Sequence, residues 1–401
     1  MTFKSKTIEL PNHIYLKISS ILLILTLSIF PKSIQAQEFI EKITKIFEFD
    51  LGPPRSDSTF RQAKVVLAPI VSFEPATSWG FGIGSKFLFK PSGAGPDTRF
   101  SNIPLSVQYT LKNQFIASSE FNIFFPHETY LLKGNVGFSK FPIAYFGIGS
   151  ETLDENQIDI SFDNLLLEPL ILRRVAPDFF IGGGWRYNSF KKLKLLEIGQ
   201  NIEEEELFRD SLTSISSGLE IAATLDSRDN VLNARKGVFA EFTHGIYNEN
   251  FGSSSRFMLT KLNFRRYWTL SAQRPNDVLA IELFTRMSWG DTPVLELSSL
   301  GGPELLRGFR DGRFRDRYAF FGQAEYRWQA LERIGFVFFG GMGDVTDSVS
   351  NLKLENVKYS LGTGLRLKIV KSENLNIRID YAFGLGDIKD HNFYLGIAES
   401  F

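Results

Sequence analysis

The residues that could carry out catalysis or bind a metal are few in this 401-residue chain. Its four histidines are His13, His127, His244 and His391, and no two are spaced as ligands of one metal ion. The chain has no cysteine, which excludes disulfide scaffolds, thiolate zinc sites and thiol nucleophiles. It also lacks the Gly-x-Ser-x-Gly elbow of serine hydrolases. The sequence therefore predicts no catalytic residue, no metal site, no cofactor and no enzyme activity.

A second set of residues is suited to holding a loop in place. Residues 300–310 read Leu-Gly-Gly-Pro-Glu-Leu-Leu-Arg-Gly-Phe-Arg. Arg307 carries five donors in a planar fork that matches a carboxylate. Gly308 permits a backbone turn that other residues resist, and Phe309 can wedge against a wall. The pattern predicts a loop anchored by Arg307, with a merely solvated arginine as the alternative.

The overall charge excludes one class of partner. The chain has 45 Lys and Arg against 45 Asp and Glu, so its formal net charge is zero. A nucleic-acid-binding protein needs a basic surface that displaces counterions from the phosphates. We therefore expect no nucleic-acid partner.

The first 36 residues have the order of a secretory signal peptide. Lys4, Lys6 and Lys17 precede the apolar stretch 21–30, and small residues up to Ala36 follow it. The sequence predicts export and cleavage after Ala36. An uncleaved anchor helix is the alternative, although an apolar stretch of about ten residues is too short to span a bilayer as a helix.

Residues 37–63 are predicted to be a short periplasmic leader. Apolar residues at helical spacing indicate a short amphipathic helix, and they are Phe39, Ile40, Ile43, Ile46 and Phe47. An ordered leader and a functional plug both fit this pattern. The segment is too short for a periplasmic docking domain.

From residue 64 to residue 401 the dominant period of the sequence is two, which is typical of strands with two different faces. The strands are about nine to twelve residues long, which suits a tilted strand that crosses hydrocarbon. Charged residues follow the polar face along its whole length, and aromatic residues cluster at the strand ends, as in a membrane barrel with a wet lumen. A soluble β-sandwich is the alternative. The predicted strands are 64–72, 79–89, 102–110, 115–124, 129–138, 156–168, 178–188, 214–225, 237–247, 256–267, 277–289, 317–328, 332–341, 357–369, 375–384 and 390–401.

Two motifs resemble one family of such barrels. The Arg307-Gly308-Phe309 motif lies in the predicted sixth outer loop, 290–316, and the turn Asp226–Asn230 is followed by Lys236-Gly237. Together they resemble the outer-membrane assembly-factor and bacterial surface antigen superfamily, the BamA/TamA-type barrels, here without periplasmic POTRA domains. The resemblance implies an all-β, 16-stranded antiparallel transmembrane barrel in the bacterial outer membrane, with the sixth outer loop folded into the lumen.

The resemblance leaves the acidic partner of Arg307 open. In the family an acid on the thirteenth strand meets the arginine, and that position here holds Gly340. The candidate luminal partners are therefore Glu325, on the polar face of the neighbouring strand, and Asp344.

The end of the chain carries a further resemblance. Phe393, Leu395, Ile397 and Phe401 are predicted to share one face of the last strand, and the final residue is aromatic. This resembles the carboxy-terminal signal by which the barrel-assembly machinery recognises outer-membrane barrels. An ordinary edge strand that ends in phenylalanine is the alternative.

Two functional classes remain open. The first is an assembly factor that helps insert or translocate outer-membrane proteins or lipids through a weak seam between the first and last strands. The second is a passive pore or surface antigen without assembly activity. The expected partners are outer-membrane lipids, the machinery that inserts the barrel itself, and a periplasmic partner or client outer-membrane proteins.

Overall fold

The computed structural model describes residues 48–50, 60–74, 78–95, 97–197, 213–231, 233–370, 375–386 and 390–401. The predicted signal peptide and the predicted leader helix lie outside these residues. The helices that the described residues form are single 3-10 turns. None of them is long and apolar enough to cross a membrane.

Sixteen long strands and three short ones make up the described structure. The long strands are β2 (Phe60–Glu74), β3 (Ser78–Pro91), β4 (Ser101–Thr110), β5 (Phe115–Phe124), β6 (Tyr130–Tyr145), β7 (Ile158–Ala176), β8 (Phe179–Glu197), β9 (Thr213–Asp226), β10 (Gly237–Tyr247), β11 (Phe257–Thr269), β12 (Val278–Gly290), β15 (Tyr318–Trp328), β16 (Ile334–Thr346), β17 (Lys358–Val370), β18 (Leu375–Leu385) and β19 (His391–Ile397). The short strands are β1 (Glu48–Asp50), β13 (Ser298–Leu300) and β14 (Phe314–Asp316). The predicted sixteen barrel strands are thus confirmed in number and order.

The strand ends differ from the prediction in a systematic way. β6, β8 and β16 continue five to nine residues further than predicted, to Tyr145, Glu197 and Thr346. Backbone pairing with a neighbour continues there after the alternation of apolar and polar side chains has stopped, so the sequence pattern misses it. The last strand is instead shorter than predicted, because it ends at Ile397.

The two faces of the sheet separate apolar from charged side chains. On the outward face large apolar side chains are exposed, such as Phe81 at 52% and Ile83 at 62%. On the inward face Glu282, Glu325 and Asp380 are buried. A soluble sandwich would bury its apolar face, so this arrangement is that of a transmembrane β-barrel whose outer surface meets hydrocarbon.

The long strands pair antiparallel in chain order, and fifteen neighbouring pairs have a residue-by-residue register. In the order of the sheet β19 stands next to β2. Within the described residues no register of paired positions joins these two strands. We call this junction the seam.

The connections lie at two ends of the barrel. The long-loop end carries the connection 291–317 and the loops 146–157 and 347–357, whereas the short-turn end carries tight turns such as 177–178. Two connections at the short-turn end, 92–100 and 227–236, are longer, and their flanking residues are joined to each other. Arg99 donates to both carboxylate oxygens of Glu128 at 2.9 Å and to the backbone oxygen of Asp226 at 2.8 Å. Arg99 therefore connects the two longer connections across the rim of the barrel.

Candidate functional site: the inner loop and its anchors

Residues 291–317, which connect β12 to β15, form the part of the barrel most distinct from its wall, and we call them the inner loop. Within it β13 and β14 pair as a small two-stranded sheet. Its apolar side chains are buried against the wall, and this cluster comprises Leu300, Leu306, Phe309, Phe314, Ala319, Phe321 and Val345. The inner loop is therefore packed against the barrel wall rather than solvated.

Arg307 lies at the centre of this packing and is fully buried. Its guanidinium donates to Oδ2 of Asp380 at 2.8 Å, to the side-chain oxygen of Gln323 at 3.1 Å, and to Glu325. The same group lies over the ring of Phe339, 3.5 Å from the ring centroid. β16 thus presents the ring of Phe339 to the arginine, one residue before the Gly340 position at which the resemblance places an acid.

One predicted partner of Arg307 is present and the other is not. Glu325 meets the arginine, but Asp344 accepts a hydrogen bond from Ser150 in the loop 146–157. The prediction for Asp344 is wrong because its position on β16 lies opposite Phe320, well toward the long-loop end. The second acid is Asp380, on β18. The alternation of strand 375–384 placed this residue on the polar face, where it is the single acid, so the sequence did contain a signal for it.

Arg307 belongs to a closed circuit of alternating charges, which we call the charge ring. Its members in order are Arg307, Glu325, Arg327, Glu399, Arg366 and Asp380. Arg327 donates to Glu325 at 3.0 Å and lies 4.0 Å from Glu399, and Arg366 donates to Glu399 at 2.6 Å and to Asp380. The ring joins the inner loop to β15, β17, β18 and the chain end.

Gly308 and Phe309 bring the inner loop into contact with the last two strands. A Cβ on Gly308 would lie 2.5 Å from the carbonyl carbon of Phe383, so glycine lets the two backbones touch. Two residues of β19 bond to Gly308. The side chain of Asn392 donates to the backbone oxygen of Gly308 at 2.8 Å, and the backbone N–H of Gly308 donates to the Tyr394 hydroxyl at 3.0 Å. The motif therefore holds the seam strand β19 from inside the barrel.

The residues after β19 turn into the lumen. Ala398 has φ +75°, and Phe401 is 7% exposed and packs with Tyr267, Val278 and other buried side chains. Its backbone oxygen accepts a hydrogen bond from Arg327 at 2.8 Å. Phe393, in contrast, is 49% exposed. The predicted shared face of Phe393, Leu395, Ile397 and Phe401 is therefore wrong for Phe401, because the backbone leaves the strand before reaching it. A role of these residues as an assembly signal remains a prediction.

The inner loop has a second anchor that the sequence analysis missed. Glu296 is buried and accepts two hydrogen bonds from Arg186 at 3.1 and 3.0 Å and one from Asn188 at 2.7 Å. Arg286 adds a contact at 3.2 Å to its carboxylate and one at 2.6 Å to its backbone oxygen. Burial opposes ionisation of Glu296, but the guanidiniums of Arg186 and Arg286 outweigh it and hold the pKa below its ordinary value. The available signal was a lone acid in the apolar stretch 293–297.

The loop 146–157 covers the inner loop at the long-loop end. Arg310 donates to Asp154 at 2.7 Å, and Arg313 donates to the backbone oxygen of Thr152 at 2.6 Å. Both guanidiniums lie over the ring of Phe146, at 4.5 and 4.3 Å. Arg310 also donates to Asp390, which immediately precedes β19, at 3.2 Å.

A comparison with protein families decides what kind of barrel this is. Residues 179–401, more than half of the chain, match the Omp85 superfamily domain, and this segment contains the inner loop and both of its anchoring clusters. The chain belongs to the Omp85 superfamily. This membership points to the bacterial outer membrane as the location of the barrel.

Solved structures agree with this Omp85 fold. BamA from Haemophilus ducreyi lacking POTRA domains 1–3 superimposes with a TM-score of 0.54 at 12% identity, over 89% of this chain and 76% of that one. CdiB from Acinetobacter baumannii gives a TM-score of 0.52 at 13% identity, over 84% of this chain and 59% of that one. At these identities the likeness shows the fold alone. No curated protein sequence matches the chain.

The Omp85 barrel also encloses a polar chamber of about 470 Å³ beside the inner loop. Its lining carries charges of both signs. The basic residues are Lys86, Lys133, Arg228, Lys261 and Arg265, and the acidic residues are Glu120, Glu168, Glu241, Glu282, Glu304 and Glu399. Several of these are paired, such as Arg265 with Glu282 at 2.8 Å. Leu305 of the inner loop and Phe401 of the chain end also contribute to the lining.

Proposed function

We propose that this Omp85 barrel assists the insertion or translocation of outer-membrane proteins or lipids through the seam between β2 and β19. The observation that carries the proposal is the contrast between this junction and the others. Fifteen neighbouring pairs of long strands have a residue-by-residue register, and within the described residues β2 and β19, although neighbours in the sheet, have no such register. Unpaired backbone groups in hydrocarbon cost several kcal/mol each, so an entering strand that pairs with them is favoured.

Two local features of the seam strands support this proposal. Pro69 lies within β2, opposite Ile83 of β3, and has no backbone N–H to donate to a ladder. β19 has seven residues, whereas β2 has fifteen. Seven residues of β19 can pair with only part of the fifteen residues of β2, so little pairing has to be broken when the seam opens.

The contacts of the inner loop explain how β19 can stay in place without a ladder to β2. Asn392 and Tyr394 are held from inside by the Arg307-Gly308-Phe309 motif. β19 is also paired with β18 over its whole length. The seam can therefore open on the β2 side while the rest of the barrel wall stays closed. Recruitment of client outer-membrane proteins would fall to a periplasmic partner, and outer-membrane lipids would surround the seam.

A passive pore or surface antigen is the second candidate, and the polar chamber favours it. A cavity of about 470 Å³ lined by charged residues is what an ion pathway needs. The inner loop and the chain end both line this chamber, and their contacts with the wall narrow any such pathway. The two functions differ in whether the seam must open.

Locking the seam tests the proposal in this cysteine-free chain. A cysteine replacing Leu395 in β19 would be combined in turn with cysteines replacing Val65, Leu67 and Val71 in β2, and the purified protein placed in liposomes. We expect the reduced protein to accelerate the folding of a urea-unfolded small outer-membrane barrel, measured by heat-modifiable gel migration. Oxidation of the pair that cross-links should abolish the acceleration, and dithiothreitol should restore it.

The matched control is a cysteine pair at Val71 and Phe81, which face each other across the laddered β2–β3 junction. Its oxidation should leave the acceleration intact. Ion conductance in planar bilayers, measured on the same variants, separates the two candidates. If the locked seam accelerates folding as well as the reduced one does, the gated seam is wrong and the pore takes its place.

A further inference from the structure

The edge of β2 that faces the seam is partly occupied by another piece of the same chain. β1 pairs antiparallel with β2, with Glu48 opposite Val66, Phe49 opposite Val65 and Asp50 opposite Lys64. The same three residues of β2 face Lys86, Phe87 and Leu88 of β3. Because a strand has only two hydrogen-bonding edges and β3 occupies one of them, β1 must lie on the edge that faces β19.

The position of β1 complements the way in which β19 ends. Both strands run opposite to β2, so β1 extends the cover of the seam edge in the same direction as β19. β19 ends at Ile397, and the following residues turn into the lumen. β1 pairs near the short-turn end of β2, within seven residues of its first residue, Phe60. There it satisfies backbone groups that would otherwise face hydrocarbon unpaired.

We propose that residues 48–50 are a resident strand that closes the seam edge of β2 at the short-turn end and is displaced when a client strand enters. The inference rests on the proposed function for its regulatory part, and on the pairing of β1 for its structural part. A three-residue strand suits this role because it makes few hydrogen bonds. A client strand that pairs along more of the fifteen residues of β2 makes more of them and replaces it.

The occupancy of the edge is tested by cross-linking. In the full-length protein, Phe49→Cys combined with Val65→Cys should form a disulfide on mild oxidation, because directly opposed residues of paired strands lie within disulfide reach. The control combines Phe49→Cys with Val71→Cys, six residues further along β2 and about 20 Å away in an extended strand. Mass spectrometry of the digested protein should find the disulfide in the first variant only. Equal cross-linking in both variants, or none in either, would overturn the pairing.

Displacement is tested with a peptide that does not depend on insertion activity. The probe is a dye-labelled synthetic peptide of residues 45–53, with binding followed by fluorescence anisotropy. A variant with Gly-Ser-Gly in place of residues 48–50 should bind the peptide at least tenfold more tightly than the oxidised Phe49→Cys/Val65→Cys protein. Equal binding by the two proteins would show that β1 does not occupy the edge.

The folding assay then connects the resident strand to activity. Oxidation of the Phe49→Cys/Val65→Cys pair should slow client folding by on the order of tenfold, and reduction should restore it, because a few net hydrogen bonds decide the exchange. If the reduced protein accelerates folding and the oxidised protein is as fast, the regulatory role is wrong. If neither accelerates folding while the cross-link and the peptide behave as expected, the proposed function fails and the resident strand stands.

Discussion

The two strands that meet at the seam are held in opposite ways. β19 is short, but it is paired with β18 along its whole length and is bonded from inside to Gly308. β2 is twice as long and is paired with β3, and on its seam edge a register of paired positions within the described structure is present for the three residues of β1. The difference shows that β19 is secured by hydrogen bonds to the inner loop in the lumen, in addition to its backbone pairing with β18.

This asymmetry assigns separate tasks to the two sides. The inner loop and the charge ring keep β19 attached to the wall whether or not β2 is paired. β2 is then the strand whose edge is available to a partner. If the luminal contacts stabilise β19, breaking them should raise hydrogen exchange in β19 and leave the pairing of β2 with β3 unchanged.

The largest expected effect is that of Arg307→Ala. Asp380 would keep its contact with Arg366, and Glu325 its contact with Arg327, but both carboxylates would lose Arg307. Breaking such a buried ion pair lowers the free energy of unfolding by about 3–5 kcal/mol. We expect a lower urea midpoint of unfolding in lipid vesicles and protease cleavage within the inner loop. Hydrogen exchange should rise in β19 and stay low in β3.

Arg317→Ala is the matched control, because Arg317 is on the same loop but its guanidinium makes an exposed hydrogen bond to the backbone oxygen of Gly290, at the end of β12, at 2.8 Å. Its cost should stay within about 1 kcal/mol. Equal losses for the two arginines would show that the charge ring is not what holds β19.

Phe401→Ala should have the next largest effect. The ring fills a buried site beside Tyr267, and replacing a buried phenylalanine by alanine costs about 3 kcal/mol or more. The variant should unfold at lower urea and expose the chain end to carboxypeptidase. Phe393→Ala removes the same volume from the exposed outward face of β19 and should leave the chain end protected. Refolding purified protein from urea for both variants keeps the result independent of assembly in cells.

Much of the barrel could be predicted from the sequence, because alternation of apolar and polar residues reports directly on the two faces of a strand. The sixteen strands and the lumen-facing position of Glu325 follow from this local pattern. The ends of β6, β8 and β16 do not, since backbone pairing continues there without alternation. The inward turn at Ala398 also has no local signal, because contacts with Tyr267 and Arg327, far away in sequence, stabilise it.

The anchors of the inner loop also fall into two groups, those with a local sequence signal and those that depend on residues distant in sequence. Arg307 was found through its motif, and Glu325 through its neighbouring strand. Asp380 and Glu296 meet partners that are 73 and 110 residues distant in sequence. The pairing of luminal charges across a barrel depends on the tilt of the strands and on the path of the loops. The sequence of a single strand predicts neither of them.

Gly308→Ala should cost about 2 kcal/mol, because it combines a positive φ of 112° with a Cβ placed against the backbone of Phe383. Gly386→Ala is a close control, since Gly386 has φ 110° and nothing lies within 4 Å of its Cβ position. The difference between the two urea midpoints isolates the backbone contact between the inner loop and β18. Equal midpoints would mean that only the positive φ matters and that the close approach contributes nothing.

The smallest expected effect belongs to the second anchor, which lies away from the seam. Glu296→Gln keeps the shape of the side chain but removes the charge that Arg186 and Arg286 share, at a cost of about 1.5 kcal/mol. Because the folded pKa of Glu296 lies below its ordinary value of 4.5, its stabilising effect is complete above that pH and is lost as the pH falls through the folded pKa. The gap in urea midpoint between the wild type and Glu296→Gln should therefore be constant near neutral pH and should narrow below about pH 4.5. Hydrogen exchange in β19 should be the same in both proteins, since this anchor touches β8 and β12; faster exchange in β19 of the variant would mean that the two anchors act as one unit.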